Sequence, residues 1–350
     1  FTYVVAQIYG VGLITSRLTG VAFELGIFLG LGGILVCSFL GGMRAVTWTQ
    51  VAQYIILIVA YMIPVVWLSV KHTGIPIPQI SAYTSALPKV TALETEFNDK
   101  ATPKGAKEES VRAIFRERAA AATTKLAGLE KDGPAFLTAE KQKLTDKLAA
   151  LKAEAAPDAK TIEAAEKAIK DFPADPAAAK KAWTAEKGVG ARAAPVKAHA
   201  EPFAVGGKDD AEKEKNRIKA KKNFLALIAC LMIGTAALPH ILMRYYTTPS
   251  VKEARVSVFW SLFFIFLLYF TAPALAILAK YDVYNFLVGS QFANLPAWVA
   301  NWATVDKSLM SIVDINKDGI VQLAEITIGG DLIVLATPEI AGLPYVITGL

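Results

Sequence analysis

The chain has 350 residues, of which 54% are hydrophobic, and its mean hydropathy is +0.39. Its formal net charge is +6, but 28 of the 37 Lys and Arg residues and 22 of the 31 Asp and Glu residues lie between Ile75 and Lys222. Because Lys and Glu alternate there and do not form one basic face, the charge does not indicate a nucleic-acid-binding protein. The long uncharged stretches on either side exclude an ordinary soluble globular protein.

The first apolar segments have the length of membrane spans. The stretches Leu25–Leu40 and Val51–Val70 carry no charged side chain, and about 20 apolar residues in a helix cross a bilayer core. We expect one complete span from each, after a partial span over Phe1–Ile14, within a membrane segment of residues 1–74. The small-xxx-small pattern Gly26–Gly30 is typical of closely packed membrane helices.

A charged segment, residues 75–222, follows these spans. Its high Ala, Lys and Glu content predicts helices, and Leu144, Leu148 and Leu151 recur at i, i+4 and i+7 to give one apolar stripe. We interpret the segment as a soluble insert of two or three amphipathic helices, such as a short antiparallel coiled coil. A charged helical spacer without a ligand explains the same pattern, and the sequence does not identify its partner.

A second group of apolar segments follows the insert. Residues 223–280 hold two complete spans, Phe224–Met243 and Ser257–Ala279, in which His240 is the only ionisable acidic or basic residue. A smaller polar loop, residues 281–331, separates them from residues 332–350, which we interpret as the start of a truncated membrane helix. Both ends of the sequence fall within apolar segments, which predicts a fragment of a longer protein.

Basic residues in the short loops predict the orientation of the chain. The loop Gly41–Gln50 carries Arg44 and the loop Arg244–Ser257 carries three basic residues, and short basic loops mark the cytoplasmic side of a membrane. Alternation of the spans then places the insert and the 281–331 loop on the outer side of a bacterial cytoplasmic membrane. Six basic residues just before the second group of spans argue for the opposite orientation.

The span Phe224–Met243 contains residues that disrupt a helix. Pro239 has no N–H to donate to the carbonyl of Thr235, and Gly234 accommodates non-helical dihedrals. Non-helical backbone at membrane depth is tolerated only where it is buried in protein or lines a water-filled cavity. We therefore predict an interruption near residues 234–239 that offers free backbone groups to an anionic solute. A proline kink, with His240 capping a helix end, explains the same residues.

Four stretches resemble the sodium:solute symporter family, namely "FTYVVAQIYGVG", "GGMRAVTWTQVAQ", "GTAALPHILMRYYTTP" and "LATPEIAGLPYVITG". Within that family they are most similar to the cation/acetate symporters, the acetate-permease-like subgroup. The resemblance implies an all-α membrane protein that contains part of a LeuT-type inverted-repeat bundle. It also implies a discontinuous helix over Phe224–Met243, with the soluble helical insert in front of it.

The resemblance implies candidate solute-binding residues on two helices. The residues at or near the interruption are implied because this helix carries solute contacts in the fold. The residues in the first segment are implied because that helix borders the transport pathway. The substrate-binding set is Gly234, Thr235, Ala236, Pro239, His240, Gln7 and Tyr9. Sodium is the implied coupling ion, but its ligands belong to helices outside this sequence, and no catalytic residue or required cofactor is implied.

The resemblance implies cation-coupled symport of a small monocarboxylate such as acetate, with sodium as the implied coupling ion. Transport would proceed by alternating access, without enzymatic chemistry. Sodium and protons fit the sequence equally as coupling ions, and so do acetate, propionate and pyruvate as solutes. Two other hypotheses stay open. The chain fits a symporter-like membrane sensor domain of a histidine kinase, and a scaffold that acts through its insert, although a scaffold does not explain the interrupted span.

The stretch "DINKDGIVQLAE", residues 314–325, matches the twelve-residue loop of an EF-hand. Oxygen ligands recur at the expected positions, and Gly319 supplies the turn at the sixth. The predicted calcium ligands are Asp314, Asn316, Asp318, the carbonyl of Ile320, Gln322 and Glu325. We expect a structural Ca²⁺ here, and a solvated turn is the alternative interpretation.

Overall fold

The computed structural model describes residues 2–153, 159–203, 206–207, 209–237 and 248–349, and almost all of its regular structure is helical. It divides into two compact units. The first unit comprises Phe1–Asp99, Val196–Asp314 and Asp318–Leu350, and the second comprises Lys100–Pro195 and Ile315–Lys317.

The first unit begins with two helices, α1 (Thr2–Thr19) and α2 (Phe23–Thr73). Helix α2 is interrupted at Gly42, whose φ of 51° and ψ of −154° are non-helical. The predicted loop Gly41–Gln50 is otherwise helical. The helix resumes after this single non-helical residue, because a glycine adopts this φ without steric cost and residues 43–50 contain no proline.

Helices α1 and α2 pack closely through the predicted small-xxx-small pattern. A Cβ atom added at Gly26 would lie 3.0 Å from the carbonyl oxygen of Gly12, and one at Gly30 would overlap the side chain of Val11. Side chains larger than hydrogen at these positions would therefore separate the two backbones.

The residues directly after α2 belong to the first unit. Helix α3 (Pro78–Ser81), a π-helical turn (Ala82–Ala86) and helix α4 (Leu87–Asn98) pack against the end of α2 and against a helix much later in the chain, α9 (Val251–Asp282). The buried residues of this core include Val65, Leu68, Ala82, Ala86, Val90, Phe97, Leu275, Ile277, Leu278 and Tyr284. The first unit therefore includes both ends of the predicted insert, residues 75–99 and 196–222.

Ionic contacts join these elements at the end of α9. The buried carboxylate of Glu94 binds the ammonium of Lys280 and accepts a hydrogen bond from the backbone N–H of His199 at 2.9 Å. Two residues further along α9, Asp282 accepts from Nζ of Lys71 at 3.1 Å. The carboxylates at this buried position are thus paired, as burial requires.

The second unit is helical, as the sequence predicts. Helix α5 (Pro103–Lys152), interrupted at Gly133 with φ of 51°, packs against α6 (Ala159–Lys170) and α7 (Pro176–Val189). The predicted leucine stripe at the end of α5 is half-buried. One hydrophobic cluster of this unit contains Leu126, Leu129, Phe136, Leu137, Phe172, Ala179 and Trp183.

Helix α8 (Asp210–Ala236) begins in the charged segment and continues into the apolar segment without a break. The side chain of Asp209 caps its first turn, accepting from the N–H of Glu212 at 2.7 Å. The predicted boundary between residues 222 and 223 is therefore a change of composition within one helix. No residue of α8 is buried.

The segment after α9 contains helix α10 (Ala297–Val305) and two short strands, β1 (Met310–Ile312) and β2 (Ile326–Ile328). The strands are antiparallel, with Met310 opposite Ile328. The core beneath them consists of Leu287, Val299, Trp302, Met310, Leu332, Ala336 and Ile340.

The predicted truncated helix of residues 332–350 is divided in two. Helix α11 (Gly330–Ile340) ends before Gly342, which has φ of 76°, and a short helix α12 (Tyr345–Thr348) follows. A left-handed glycine is a common helix terminator. Local sequence therefore ends α11 after 11 residues.

Candidate functional site

Two helices in the described part of the chain are long and apolar enough to cross a membrane. They are Thr47–Thr73, with mean hydropathy 2.2, and Val251–Leu287, with mean hydropathy 2.4. The segments Gln7–Thr19 and Phe23–Gly33 meet the same criteria as a pair that bends by 108°. These lengths and compositions are those of a multi-pass membrane protein.

The predicted interruption falls where α8 ends. Gly234 and Thr235 are helical, so the glycine itself does not break the helix, and the last helical residue is Ala236. This end lies inside the interval of residues 234–239. Pro239 and His240 lie outside the described residues, so the interruption beyond Ala236 stays a prediction.

The structure does not bring all predicted solute-binding residues together. The three in α8 are exposed, and α8 makes no extensive contact with another helix in the described ranges. On α1, Gln7 is exposed, and the Tyr9 hydroxyl donates to Oδ2 of Asp306 at 3.4 Å. Hydrogen bonds from Ser308, and a weaker one from Tyr9, lower the pKa of Asp306. Tyr9 therefore binds a polar loop in this conformation.

A cavity that the sequence analysis missed lies between α2, α9 and α11. Its volume is about 480 Å³ and most of its wall is aliphatic. The polar side chains that line it are Gln53, Tyr61 and Thr337, and Thr337 is only 2% exposed. No Asp, Glu, Lys, Arg or His is among its described lining residues.

Two prolines border this cavity, together with the residues whose carbonyls lose their usual helical donor. Pro64 of α2 cannot donate to the carbonyl of Ala60, and Pro338 of α11 cannot donate to the carbonyl of Val334. All four residues line the cavity. A proline within an apolar span is the sequence signal for such carbonyls, but only the tertiary structure shows that both pairs face one space.

The EF-hand-like loop has part of the expected local conformation. Oδ2 of Asp314 accepts from the N–H of Gly319 at 3.0 Å, and Oδ1 of Asp318 accepts from the N–H of Ile320 at 2.8 Å. The other oxygen of Asp318 accepts from the side chain of Gln322 at 2.7 Å. Strands β1 and β2 flank the loop, where an EF-hand has helices.

The remaining predicted calcium ligands are engaged with the protein. Glu325 is 1% exposed, and its Oε2 accepts from the N–H of Gln322 at 3.0 Å. The side chain of Asn316 donates to Ser110 at 3.0 Å. Oδ1 of Asp314 is buried and has no hydrogen-bond partner. Within the described ranges, no three His, Cys, Asp or Glu side chains converge as a metal site.

The apolar spans, with a cavity packed between such helices, identify the chain as part of a multi-pass membrane protein. The model of the sodium:solute symporter family matches residues 1–117 and 187–304. The chain belongs to that family, whose members are transporters and not enzymes.

Curated proteins that are similar to the chain include two from bacteria. An uncharacterized symporter of Cupriavidus necator is 47% identical over 351 aligned residues, which cover 100% of this chain and 49% of that protein. A monocarboxylic acid transporter of Corynebacterium glutamicum is 55% identical over 40 residues, which cover 11% of this chain and 7% of that protein. The chain thus spans about half the length of its Cupriavidus relative. No solved structure matches it.

Proposed function

We propose that the protein to which this chain belongs is a secondary symporter that couples a cation, sodium in the first instance, to uptake of a small monocarboxylate such as acetate. Membership of the sodium:solute symporter family supports symport, and the short similarity to a monocarboxylic acid transporter supports the solute class. The structural observation that carries the proposal is the end of α8 at Ala236, within an apolar segment. Transport by alternating access needs no covalent chemistry.

The solute carboxylate is proposed to bind where α8 ends. The hydroxyl of Thr235 can donate to it, and Gly234 and Ala236 leave space beside the backbone. Pro239 removes the helical donor of the Thr235 carbonyl, and His240 adds an ionisable ring beyond the described end of the helix. The proposed backbone contacts for the carboxylate are N–H groups freed beyond the interruption, since N-terminal half-helix ends face anionic solutes in broken-helix transporters, whereas freed carbonyls face cations.

Gln7 and Tyr9 of α1 form a secondary part of the proposed solute site. Both are exposed polar residues on an apolar helix. Their role requires α1 to approach the end of α8 in another state of the transport cycle. A Tyr9→Phe variant that transports like the wild type would remove this residue from the site.

The proposed location is the bacterial cytoplasmic membrane, with the insert and the 281–331 loop outside. The basic loops and the apolar spans support this orientation. In a variant without its native cysteines, single cysteines at exposed Lys141 and at Arg255 should react from opposite sides with a membrane-impermeant maleimide. Labelling of both from the same side would contradict the orientation.

The transport proposal is tested by acetate uptake into proteoliposomes that contain the full-length protein. An inward sodium gradient should drive accumulation, Thr235→Ala should reduce it at least about tenfold, and Thr235→Ser should keep most of it because the hydroxyl remains. Pro239→Ala should also reduce uptake, whereas Pro273→Ala, a proline change in α9, serves as the control. Absence of cation-driven uptake by the wild type would overturn the proposal and favour the sensor hypothesis.

A structural Ca²⁺ in the loop of residues 314–325 is a second proposal. The buried, unpartnered Oδ1 of Asp314 and the buried carboxylate of Glu325 support it, although the side chains would have to turn toward a common point. Calcium should raise the Tm of the full-length protein, and Asp314→Asn combined with Glu325→Gln should abolish the rise. A wild-type Tm that does not respond to calcium would leave the loop as a solvated turn.

A further inference from the structure

The charged residues of α8 are separated by sign along the helix. Its acidic residues all lie near its start, at or before Glu214, whereas residues 215–222 include five basic residues and no acidic one. The apolar part of the helix begins directly afterwards, at Phe224. The basic residues therefore lie between the acidic start of the helix and the part whose composition predicts insertion in the bilayer.

Three of these basic residues share one face of α8. Lys215, Lys219 and Lys222 recur at i, i+4 and i+7, which places them within one narrow stripe. All three side chains are exposed, and none of them forms an ion pair in the described part of the chain. We refer to these three residues as the lysine face.

The other two basic residues interact with an acidic residue of the helix start. Oε2 of Glu214 accepts from Nε of Arg217 at 2.6 Å, and Oε1 accepts from Nη2 at 2.7 Å. The same carboxylate interacts electrostatically with Lys221. The helix carries no acidic residue beyond Glu214, so the positive charge of the lysine face is available for a partner outside the helix.

The preceding loop covers a different side of α8. The side chain of Asn216 donates to the carbonyl of Gly206 at 2.9 Å, and the ring of Phe203 packs edge-on against that of Phe224, with 5.5 Å between their centroids. Phe224 follows Lys215 by about two and a half helical turns, so the two residues lie on opposite sides of the helix. The loop therefore leaves the lysine face open.

The lysine face lies at the depth of the lipid head groups. With a rise of 1.5 Å per residue, Lys222 is about 3 Å and Lys219 about 7.5 Å from Phe224 along the helix axis. The polar layer on each side of a bilayer core is about 5–8 Å thick. Lysine side chains lean toward the start of a helix, and they keep the ammonium in the polar layer while their methylene groups cover apolar surface.

We propose that Lys215, Lys219 and Lys222 bind the phosphate groups of anionic phospholipids and hold α8 at a fixed depth in the membrane. Negatively charged head groups attract basic residues next to a membrane span, and the attraction extends over about one Debye length. Three such residues on one face, without acidic partners, bind several head groups together. This surface requires no transported solute, and it acts on whichever side of the membrane the charged segment lies.

The test measures lipid binding by the full-length protein in a neutral detergent. Its Tm is titrated with phosphatidylglycerol, and phosphatidylcholine serves as the neutral lipid. Phosphatidylglycerol should raise the Tm more than phosphatidylcholine does, and NaCl at about 1 M, where the Debye length is about 3 Å, should weaken the difference. The combined change Lys215→Gln, Lys219→Gln and Lys222→Gln should raise the phosphatidylglycerol concentration for half-maximal stabilisation at least about tenfold, which corresponds to about 1.4 kcal/mol.

Two matched variants serve as controls. Replacement of the same three lysines by arginine keeps their charge, and Lys180→Gln, Lys181→Gln and Lys187→Gln together remove the same charge from exposed positions of the second unit. Both variants should titrate like the wild type. The lipid surface would be overturned by equal titrations of the wild type and the α8 glutamine variant, or by equal effects of the two lipids on the wild type. An arginine variant that titrates like the glutamine variant would also contradict it, because the charge is retained.

Discussion

Arg17 and Glu339 lie 322 positions apart in the chain and form a paired ionic contact. Nη2 of Arg17 donates to both carboxylate oxygens of Glu339, at 2.9 and 3.1 Å, and their side chains are only 17% and 14% exposed. The indole N–H of Trp302 donates to the same carboxylate at 3.1 Å. This contact fixes the end of α1 to α11 and, through Trp302, to α10.

Loss of one partner from this contact should destabilise the first unit. Glu339→Gln removes the negative charge and leaves the guanidinium of Arg17 without its counterion. We expect a loss of about 1.5–3 kcal/mol, the usual range for a hydrogen bond to a charged group, and a lower Tm. Disruption of the exposed pair Asp210–Lys213 is the control and should change stability little. Equal effects of the two changes would show that the Arg17 contact adds no stability.

The α1–α2 contact predicts a difference between two glycines of α2. Gly26→Ala should lower stability by about 1–3 kcal/mol, because the added Cβ would press on the backbone of α1, which cannot move aside like a side chain. Gly32→Ala should be tolerated, since nothing lies within 4 Å of its added Cβ. Thermal unfolding of both variants in detergent measures the difference. A stable Gly26→Ala protein would contradict the observed packing.

The second unit should be removable. The side chain of Asn98 accepts from the N–H of Val196 and donates to its carbonyl, both at 2.9 Å, so the two points where the chain leaves and re-enters the first unit lie side by side. Replacement of residues 100–195 by a short Gly/Ser linker should preserve membrane insertion and the Tm transition of the first unit. Aggregation of the shortened protein, while Asn98→Ala in the full-length chain remains folded, would show that the first unit requires the second.

Stability should decrease in mild acid because of His199. Burial, and the nearby ammonium of Lys280, lower the pKa of His199 below its usual 6.5, while Glu94 partly opposes the shift. The folded state therefore resists protonation, so this contribution is complete above pH 6.5 and is lost as the pH falls toward the lowered pKa. The Tm should fall as the pH decreases below 6.5, and His199→Gln should reduce that fall. If the wild type and the His199→Gln variant show the same dependence of Tm on pH, His199 is not the cause of the loss of stability in acid.

Helices and apolar spans were predictable because composition and periodicity act locally. The boundary of the first unit was not. Ala82, Ala86 and Val90 recur every four residues, but the α9 residues that pack in the same core, 274–279, come about 190 positions later in the chain. The loop after Leu40 was also misjudged, because a single glycine can interrupt a helix that its neighbours continue.

The candidate site was predictable only in part. Pro239 and Gly234 predict an interruption from sequence; α8 is helical as far as Ala236, and the interruption beyond it stays a prediction because Pro239 lies outside the described residues. The cavity between α2, α9 and α11 could not be predicted, because Pro64 and Pro338 are distant in sequence and are brought to one space only by packing of α2 and α11. The calcium motif gave the turn at Gly319, but sequence spacing does not determine where each carboxylate points.

Helix α8 has 27 residues and no non-helical position between its charged start and its apolar end. At a rise of 1.5 Å per residue, the helix is about 40 Å long. A probe attached near the exposed Asp210 would therefore report tilting of the helix at Ala236, where direct labelling would disturb the proposed solute site. Under the proposed function and orientation, such a probe would follow the transport cycle from the outer side of the membrane.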